Sequence, residues 1–311
     1  MQVLRRAPFK ALEAGEAMNV PLIIGMNKDD GTEFMDGCPN DVGYWGYPAC
    51  NISSRVYNHM EKVFAKYARA NSTGLRGFTD QLYKTWIEAN FGAHNLDKLL
   101  KVYPGPHMPQ GLMPKDVPRF STNYWAAETL LGDYIMYCTG RRAARISHDR
   151  NRSPSQRVFQ YYFIHTPNEA PFSDPRKGGY GYGDSITDGW RACHGCEIPF
   201  VFLRDDSDDY GINGTAEIEL GRAMSTYWSN FAWNSDPNNS TGRHHPEVLA
   251  QPPRWKGYSH KTDDTVILDI RGGIHPEGDR AKGIYVGRHP RSTNCDNFWD
   301  SFYTAQGWFS H

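Results

Sequence analysis

Two stretches far apart in the chain hold residues whose types could do acid–base chemistry. Asp188-Gly189-Trp190-Arg191-Ala192-Cys193-His194-Gly195-Cys196-Glu197-Ile198-Pro199-Phe200-Val201-Phe202 sets His194 in a glycine-containing turn just ahead of an apolar run. Val20-Pro21-Leu22-Ile23-Ile24-Gly25-Met26-Asn27-Lys28-Asp29-Asp30-Gly31 runs an apolar strand into an acidic turn. An imidazole titrates near neutrality and can take up and return a proton, and a carboxylate can orient it. Together the stretches suggest an acid and a base delivered from two strand ends. Each alone also has a plainer reading: a ring that fills space in a turn, and an ordinary Asp-Gly turn.

The elements that must position them can be read from spacing. Residues 10 to 19 form a surface segment leading into a buried strand at 21 to 26. A loop from 35 to 53 is bracketed by Cys38 and Cys50, which a local disulfide would stiffen. Val56, Met60, Val63, Phe64 and Tyr67 recur at helical spacing, as do Leu82, Trp86, Ile87 and Phe91. After a proline-rich connector at 102 to 119, a long helix runs from Asn123 to Ile146 with Leu130, Leu131, Tyr134 and Cys138 on one side. Val158 to Ile164 is an aromatic, β-branched strand, and the loop from 166 to 190 shapes a site around the histidine turn. Leu220, Met224, Tyr227, Trp228 and Phe231 mark another helix, stopped by Asn234-Ser235-Asp236-Pro237. Thr265 to Ile270 reads as the last strand, and Cys295, Phe298, Trp299 and Phe302 share one face of a terminal helix. Strands alternating with helices predict an α/β fold with a largely parallel sheet, with no internal repeat and no domain linker.

Composition excludes several partners. With 34 basic against 35 acidic residues among 311, and no run of like charge, neither nucleic acid nor an anionic membrane surface is implied. No stretch approaches the ~18 apolar residues a membrane helix requires. Sequons at Asn51, Asn71, Asn151, Asn213, Asn238 and Asn239 nominate these asparagines for glycosylation and favour the secretory path. Six cysteines, an even number, suit three disulfides in an oxidising compartment. The expectation is a secreted or lumenal protein whose signal-bearing part is missing from this chain.

Four motifs carry a resemblance. Asn27 to Phe34, Cys193 to Phe202, Tyr227 to Asn238 and Phe298-Trp299 resemble, in order and spacing, the C-terminal half of the type-B carboxylesterase and cholinesterase family. The resemblance spans nearly all of residues 1–311 and implies the C-terminal portion of an α/β-hydrolase fold, an incomplete, mostly parallel sheet with flanking helices. It implies a small carboxylic ester as substrate, a Ser, acid, His triad and no cofactor or metal. Position by position, it places the triad acid at Asp30, where glutamate is usual, and the general base at His194. An aspartate is one methylene shorter, so its reach to the ring must be made up by the backbone. The resemblance also pairs Cys138 with Cys295, joining the long helix to the terminal one.

The third triad member has no counterpart here. No Gly-x-Ser-x-Gly and no His-Gly-Gly run occurs in the chain, and Ser185 lies in a loop without the strand-turn-helix context of a nucleophile elbow. The implied reading is that the nucleophile-bearing half precedes residue 1, that the chain is inactive alone, and that the sheet has an exposed edge where its first strands belong. Arg191 stands where the family keeps a small residue, and Leu203 where it tends to keep glycine. Cys193 and Cys196 flank the base. A redox pair would open a helix in a thioredoxin-like unit, and a zinc site would need Cys38 and Cys50 or His165 to converge on them. A local or loop-to-loop disulfide pinning the histidine turn is the simpler expectation. The alternative to an esterase is a catalytically silent, adhesion-type member of the family that binds a protein partner; a short protein of unrelated role is the third reading.

Overall fold

The apolar runs assemble into a four-stranded sheet with helices on both faces. The structure, a computed structural model, describes residues 8–31, 80–105, 122–150, 157–168, 192–204, 212–238, 252–273, 278–279 and 281–306. The strands are β1 (Leu22–Asn27), β2 (Val158–Phe163), β3 (Asp264–Leu268) and β4 (Tyr285–Arg288), in that order across the sheet. β1 pairs with β2 in parallel from Leu22↔Val158 to Asn27↔Phe163, and β2 pairs with β3 in parallel from Tyr161↔Val266 to Phe163↔Leu268. β4 runs antiparallel to β3.

Side chains alternate across a strand, and β2 shows what each face meets. Tyr162 joins Met26 of β1 and Ile267 of β3 on one face. After α1 (Pro8–Ala14), which precedes β1, the helices α2 (Asp80–Phe91), α3 (Leu96–Val102), α4 (Thr122–Gly132) and the C-terminal helical run pack against that face through Trp86, Ile87, Leu99, Leu130 and Trp299. Phe159 and Phe163 turn to the other face, where Phe200, Leu220, Met224, Tyr227 and Trp255 cover them. Burial on both faces is why β2 reads as a nearly continuous apolar run. Its polar exception, Gln160, accepts from Trp255 Nε1 at 3.0 Å on its carbonyl and from Thr265 Oγ1 at 3.1 Å on its side chain.

The long helix forms as expected, from Thr122 to Arg150, with a π-helical turn at Asp133–Tyr137 between α4 and α5 (Cys138–Arg150). A second π-helical turn, Cys295–Trp299, leads into the terminal Asp300–Gln306 helix. Cys138 and Cys295, one at the edge of each π turn, are joined by a disulfide across 157 residues of sequence. A disulfide typically stabilises by ~2–4 kcal/mol. Beside it Arg141, 1% exposed, holds Asp263 with two donors at 3.1 and 2.6 Å and reaches Asp296 and Asp300. That network ties the long helix to the start of β3 and to the terminal helix.

Two expectations need correction, and one run gains an element. Tyr285–Arg288 is a fourth strand that the reading ending at Ile270 did not contain; four residues including Gly287 and Arg288 are too few to show alternation. The apolar run after the histidine is helical over Ile198–Val201, because Pro199 suits a first helical turn and Val201 and Phe202 donate to the carbonyls of Glu197 and Ile198. The strand at 21 to 26 is less buried than expected: Leu22 to Gly25 are half-buried, since β1 pairs on one side among the described residues. Among those residues no helix is long and apolar enough to cross a membrane. Cys38, Cys50, Ser185, Arg191, the helix at 56 to 67 and the sequons at Asn51, Asn71, Asn151 and Asn239 lie outside the described residues.

Candidate active site

Asp30, the candidate acid, follows the end of β1. Lys28 N–H donates to the Phe163 carbonyl at 2.8 Å and carries the pairing one residue past the strand. Asp29 then leaves the sheet and forms an isolated parallel bridge to Cys193, its N–H donating to the Ala192 carbonyl at 3.0 Å. Gly31 lets the chain turn against α4, where a Cβ would lie 2.0 Å from the Glu128 carbonyl oxygen. Between these constraints the Asp30 carboxylate accepts the Asn27 N–H on Oδ2 at 2.8 Å and meets His194 Nδ1 on Oδ1 at 2.9 Å. The short Asp30 side chain reaches the ring while the Asp29 bridge holds the two turns side by side.

His194, the candidate base, sits in a closed turn, not at a strand end, which corrects the expectation of two strand ends. Cys196 N–H donates to the Cys193 carbonyl at 3.1 Å, and Gly195 takes φ +76°, a left-handed conformation glycine adopts freely. Cys193 and Cys196 are joined in a disulfide, so the local pairing is the one formed. Their sulfurs are thus unavailable as thiolates for a metal. The helical turn α6 (Ile198–Val201) follows, and two residues past it Leu203 takes a φ of +48°, in the glycine-favoured region. The side chain of Asp30 is 2% exposed and that of His194 43%, so a buried carboxylate anchors a ring that reaches the surface.

Burial pushes the Asp30 carboxyl above its ordinary range, and the hydrogen bond and charge of His194, the Asn27 N–H and Arg291 pull it back. Glu197 is likewise raised, first by burial and also by the Asp30 charge, against the hydrogen bond from Asn27. Behind the acidic turn lies a buried charge cluster. Lys28 Nζ and Asp29 Oδ1 pair at 2.7 Å, and Arg291 donates to the Lys28 carbonyl at 2.5 Å and to Asp133 at 3.3 Å. Glu128, at its edge, is pushed up to about 8, by burial and then by Asp29, with Arg291 and Lys28 opposing.

The structure thus brings Asp30 and His194 together, and it adds residues the sequence reading passed over. Asn27 Nδ2 donates to the Cys193 carbonyl at 2.7 Å and to Glu197 Oε2, while Tyr161 OH donates to Glu197 Oε1 at 3.3 Å. Asn27 stands directly before the acidic turn, and Glu197 three residues after the histidine; proximity to the motifs was the one available signal. His165, weighed as a zinc ligand, is instead clasped by Glu217 (Nε2 to Oε1, 2.7 Å) and Asp269 (Nδ1 to Oδ1, 3.3 Å). Among the described residues no group of three or more His, Cys, Asp or Glu is arranged to hold a metal ion.

The chain as a whole is similar to known proteins. The sequence profile described as the carboxylesterase family matches residues 1–282. Acetylcholinesterase 1 of Caenorhabditis briggsae is 22% identical over 295 residues, covering 94% of this chain and 38% of that protein. The crystal protein of Dictyostelium discoideum is 24% identical over 264 residues (85% and 36%), and human neuroligin-2 is 21% identical over 273 (85% and 27%). Among solved structures, EstA of Aspergillus niger aligns with a TM-score of 0.56 at 16% identity, over 95% of this chain and 42% of its own. The chain spans about two fifths or less of the length of these relatives. The mixed sheet with flanking helices is that of the α/β-hydrolase fold.

Proposed function

This chain belongs to the carboxylesterase family, and on that premise we propose that Asp30 and His194 are the acid and general base of a Ser, acid, His hydrolase of carboxylic esters. The observation that carries the reading is the 2.9 Å contact between His194 Nδ1 and a buried Asp30 carboxylate. Pairing through Nδ1 assigns Nε2 to the reacting side. There it would take the proton of a serine hydroxyl as the oxygen attacks the ester carbonyl carbon, and give it to the departing alcohol oxygen. Water then repeats the exchange to release the acid. Asp30 holds the ring in the tautomer this needs and balances the imidazolium that forms.

The chain contains no Gly-x-Ser-x-Gly, so the reading places the nucleophile on another part of the polypeptide. Residues 1–311 are then the C-terminal part of the hydrolase domain, inactive alone, with the first strands of the sheet supplied outside β1. A secreted, disulfide-bonded glycoprotein suits the sequons and the two disulfides. The likeness to neuroligin-2 supports the alternative of a catalytically silent binding module with a protein partner. The Asp30–His194 pair weighs against it, since a module without chemistry has no need to keep acid and base in register.

The test is the intact mass of the protein from its natural source, before and after a serine-directed fluorophosphonate. A species longer than 311 residues that gains one adduct supports the hydrolase. A species that takes up no probe leaves the binding module.

A further inference from the structure

We propose that Asn27 is the positioning residue of the Asp30–His194 pair, gripping both turns at once and setting the distance between acid and base. The proposal rests on the acid-and-base reading above and adds what holds the two together. Asn27 is the last residue of β1, paired in register with Phe163 and 1% exposed, so its backbone is anchored in the sheet. From that anchor it uses donors in two directions. Its main-chain N–H binds Asp30 Oδ2 at 2.8 Å, which leaves Oδ1 for the ring. Its side-chain amide nitrogen binds the Cys193 carbonyl at 2.7 Å and the Glu197 carboxylate, the residues that begin and end the histidine turn.

The chemistry selects an asparagine. An NH2 group has two protons, and here two acceptors on the far turn take them. Among the described residues the amide oxygen has no hydrogen-bond partner, so nothing there rewards the reverse orientation, which would set an oxygen against two acceptors. Aspartate would place a carboxylate against Glu197 and the Cys193 carbonyl, and alanine would remove the one donor group that reaches from β1 to both. Glu197 in turn is braced by Tyr161 OH at 3.3 Å from β2. The grip therefore runs from β1 through the histidine turn and back to β2, the neighbouring strand. Asp29, one bridge further on, fixes the backbone of the two turns through its pairing with Cys193 and its N–H bond to the Ala192 carbonyl.

The test uses the 311-residue chain with isotope-labelled histidine and reads the imidazole N–H proton that His194 presents to Asp30, assigned by its loss in Asp30→Ala. In Asn27→Ala, held well below its unfolding midpoint, the proton is expected to exchange with solvent at least about tenfold faster than in the parent protein. Glu197→Gln keeps an oxygen acceptor for Asn27 and preserves the slow exchange; Glu197→Ala accelerates it. A purely structural role would lower the midpoint while leaving exchange in the folded protein unchanged, and that result overturns the proposal. Should Asn27→Ala fail to fold, unchanged exchange in Glu197→Ala overturns it equally. The fluorophosphonate experiment reads the esterase assignment separately. No adduct with accelerated exchange sinks the hydrolase and leaves the positioning role; an adduct with unchanged exchange does the reverse.

Discussion

Asp29 and Ala192 bind each other twice: Asp29 N–H donates to the Ala192 carbonyl at 3.0 Å, and Ala192 N–H donates to Asp29 Oδ2 at 3.1 Å. This reciprocal pair is the hinge pin of the site. It joins the turn after β1 to the histidine turn, and it does so with a carboxylate that is also the counter-ion of buried Lys28.

Asp29→Ala therefore removes two supports together. It strips a partner from the Ala192 N–H and leaves the Lys28 ammonium buried without its anion, a loss that costs ~3–5 kcal/mol when one member of a buried pair is deleted. Asp29→Asn keeps an acceptor for Ala192 and loses only the charge, so it falls between the two. Urea unfolding of the three proteins at one pH ranks them. Equal stability of Asp29→Ala and the parent would refute the role given to this residue.

Asp30→Asn leaves the shape of the pair but removes the anion that fixes the ring tautomer. In hydrolases of this chemistry the corresponding change lowers turnover by about four orders of magnitude. The same loss is expected in the fluorophosphonate labelling rate of the polypeptide that carries the nucleophile. Asp30→Glu does not improve the site, although glutamate is the usual family residue. The Asp29 bridge has already drawn the turns in, and an added methylene in this closed space costs ~1–3 kcal/mol. Labelling of Asp30→Glu at or above the parent rate would contradict that account.

The legibility of this fold from its sequence follows the range of the interactions involved. The strands β1, β2 and β3 announce themselves because each is an apolar run ended by turn residues, and α7 (Thr215–Asn234) because five apolar residues recur at helical spacing before Ser235 turns left-handed. Asp30 and His194 are legible because each lies in a local motif. Ile198–Val201 was not, since four apolar residues suit a strand or one helical turn equally, and Pro199 acts only once a turn has begun. Asn27 and Glu197 were not, because their roles arise from contacts across 166 and 170 residues of sequence. Leu203 lies between these cases: the resemblance marked it as a place for glycine, and its φ of +48° gives the physical reason.

Glu128 gives the stability of this protein an alkaline weakness. Its carboxyl is raised from 4.5 to about 8, so the folded state holds a proton that the unfolded state releases between those values. The contribution is fully present below pH 4.5 and declines as pH rises toward 8, by up to ~1.4 kcal/mol per pH unit from this group. Glu128→Gln, neutral in both states, removes that decline. Relative to the parent, the variant gains stability in urea between pH 5 and pH 8; a constant difference over that interval would show that Glu128 does not titrate differently in the two states.

His165 works in the same direction through opposite chemistry. The hydrogen bonds and charges of Asp269 and Glu217 raise its pKa above 6.5 against the opposing effect of burial, the largest single influence. A raised histidine contributes stability below pH 6.5 that is lost as pH climbs through the folded value. Glu217 also accepts the N–H groups of Asn168 at 2.6 Å and Asn213 at 2.7 Å, so the cluster fastens the segment after β2 to the start of α7. His165→Gln is expected to cost more stability at pH 6 than at pH 9. A variant equally destabilised at both would place the value of His165 in packing against Phe163 and Phe200 and not in its charge.

The two sequons within the described residues are not equivalent, and their difference tests the secretory reading. Asn213 is exposed in the short approach to α7, where a glycan meets solvent. Asn238 is half-buried and committed: its Nδ2 donates to Asp236 Oδ1 at 2.9 Å and to the Trp255 carbonyl at 2.8 Å, and its Oδ1 accepts the Trp255 N–H at 2.7 Å. A sugar on that nitrogen would break the hold on the segment carrying Trp255, a fully buried side chain packed on Phe159. Enzymatic deglycosylation in heavy-oxygen water converts each occupied asparagine to a labelled aspartate. The expected label falls on Asn213 and is absent from Asn238 in folded, secreted protein. Occupancy of Asn238 would mean that the Trp255 segment folds without this clasp, and an unlabelled Asn213 would count against passage through the secretory path.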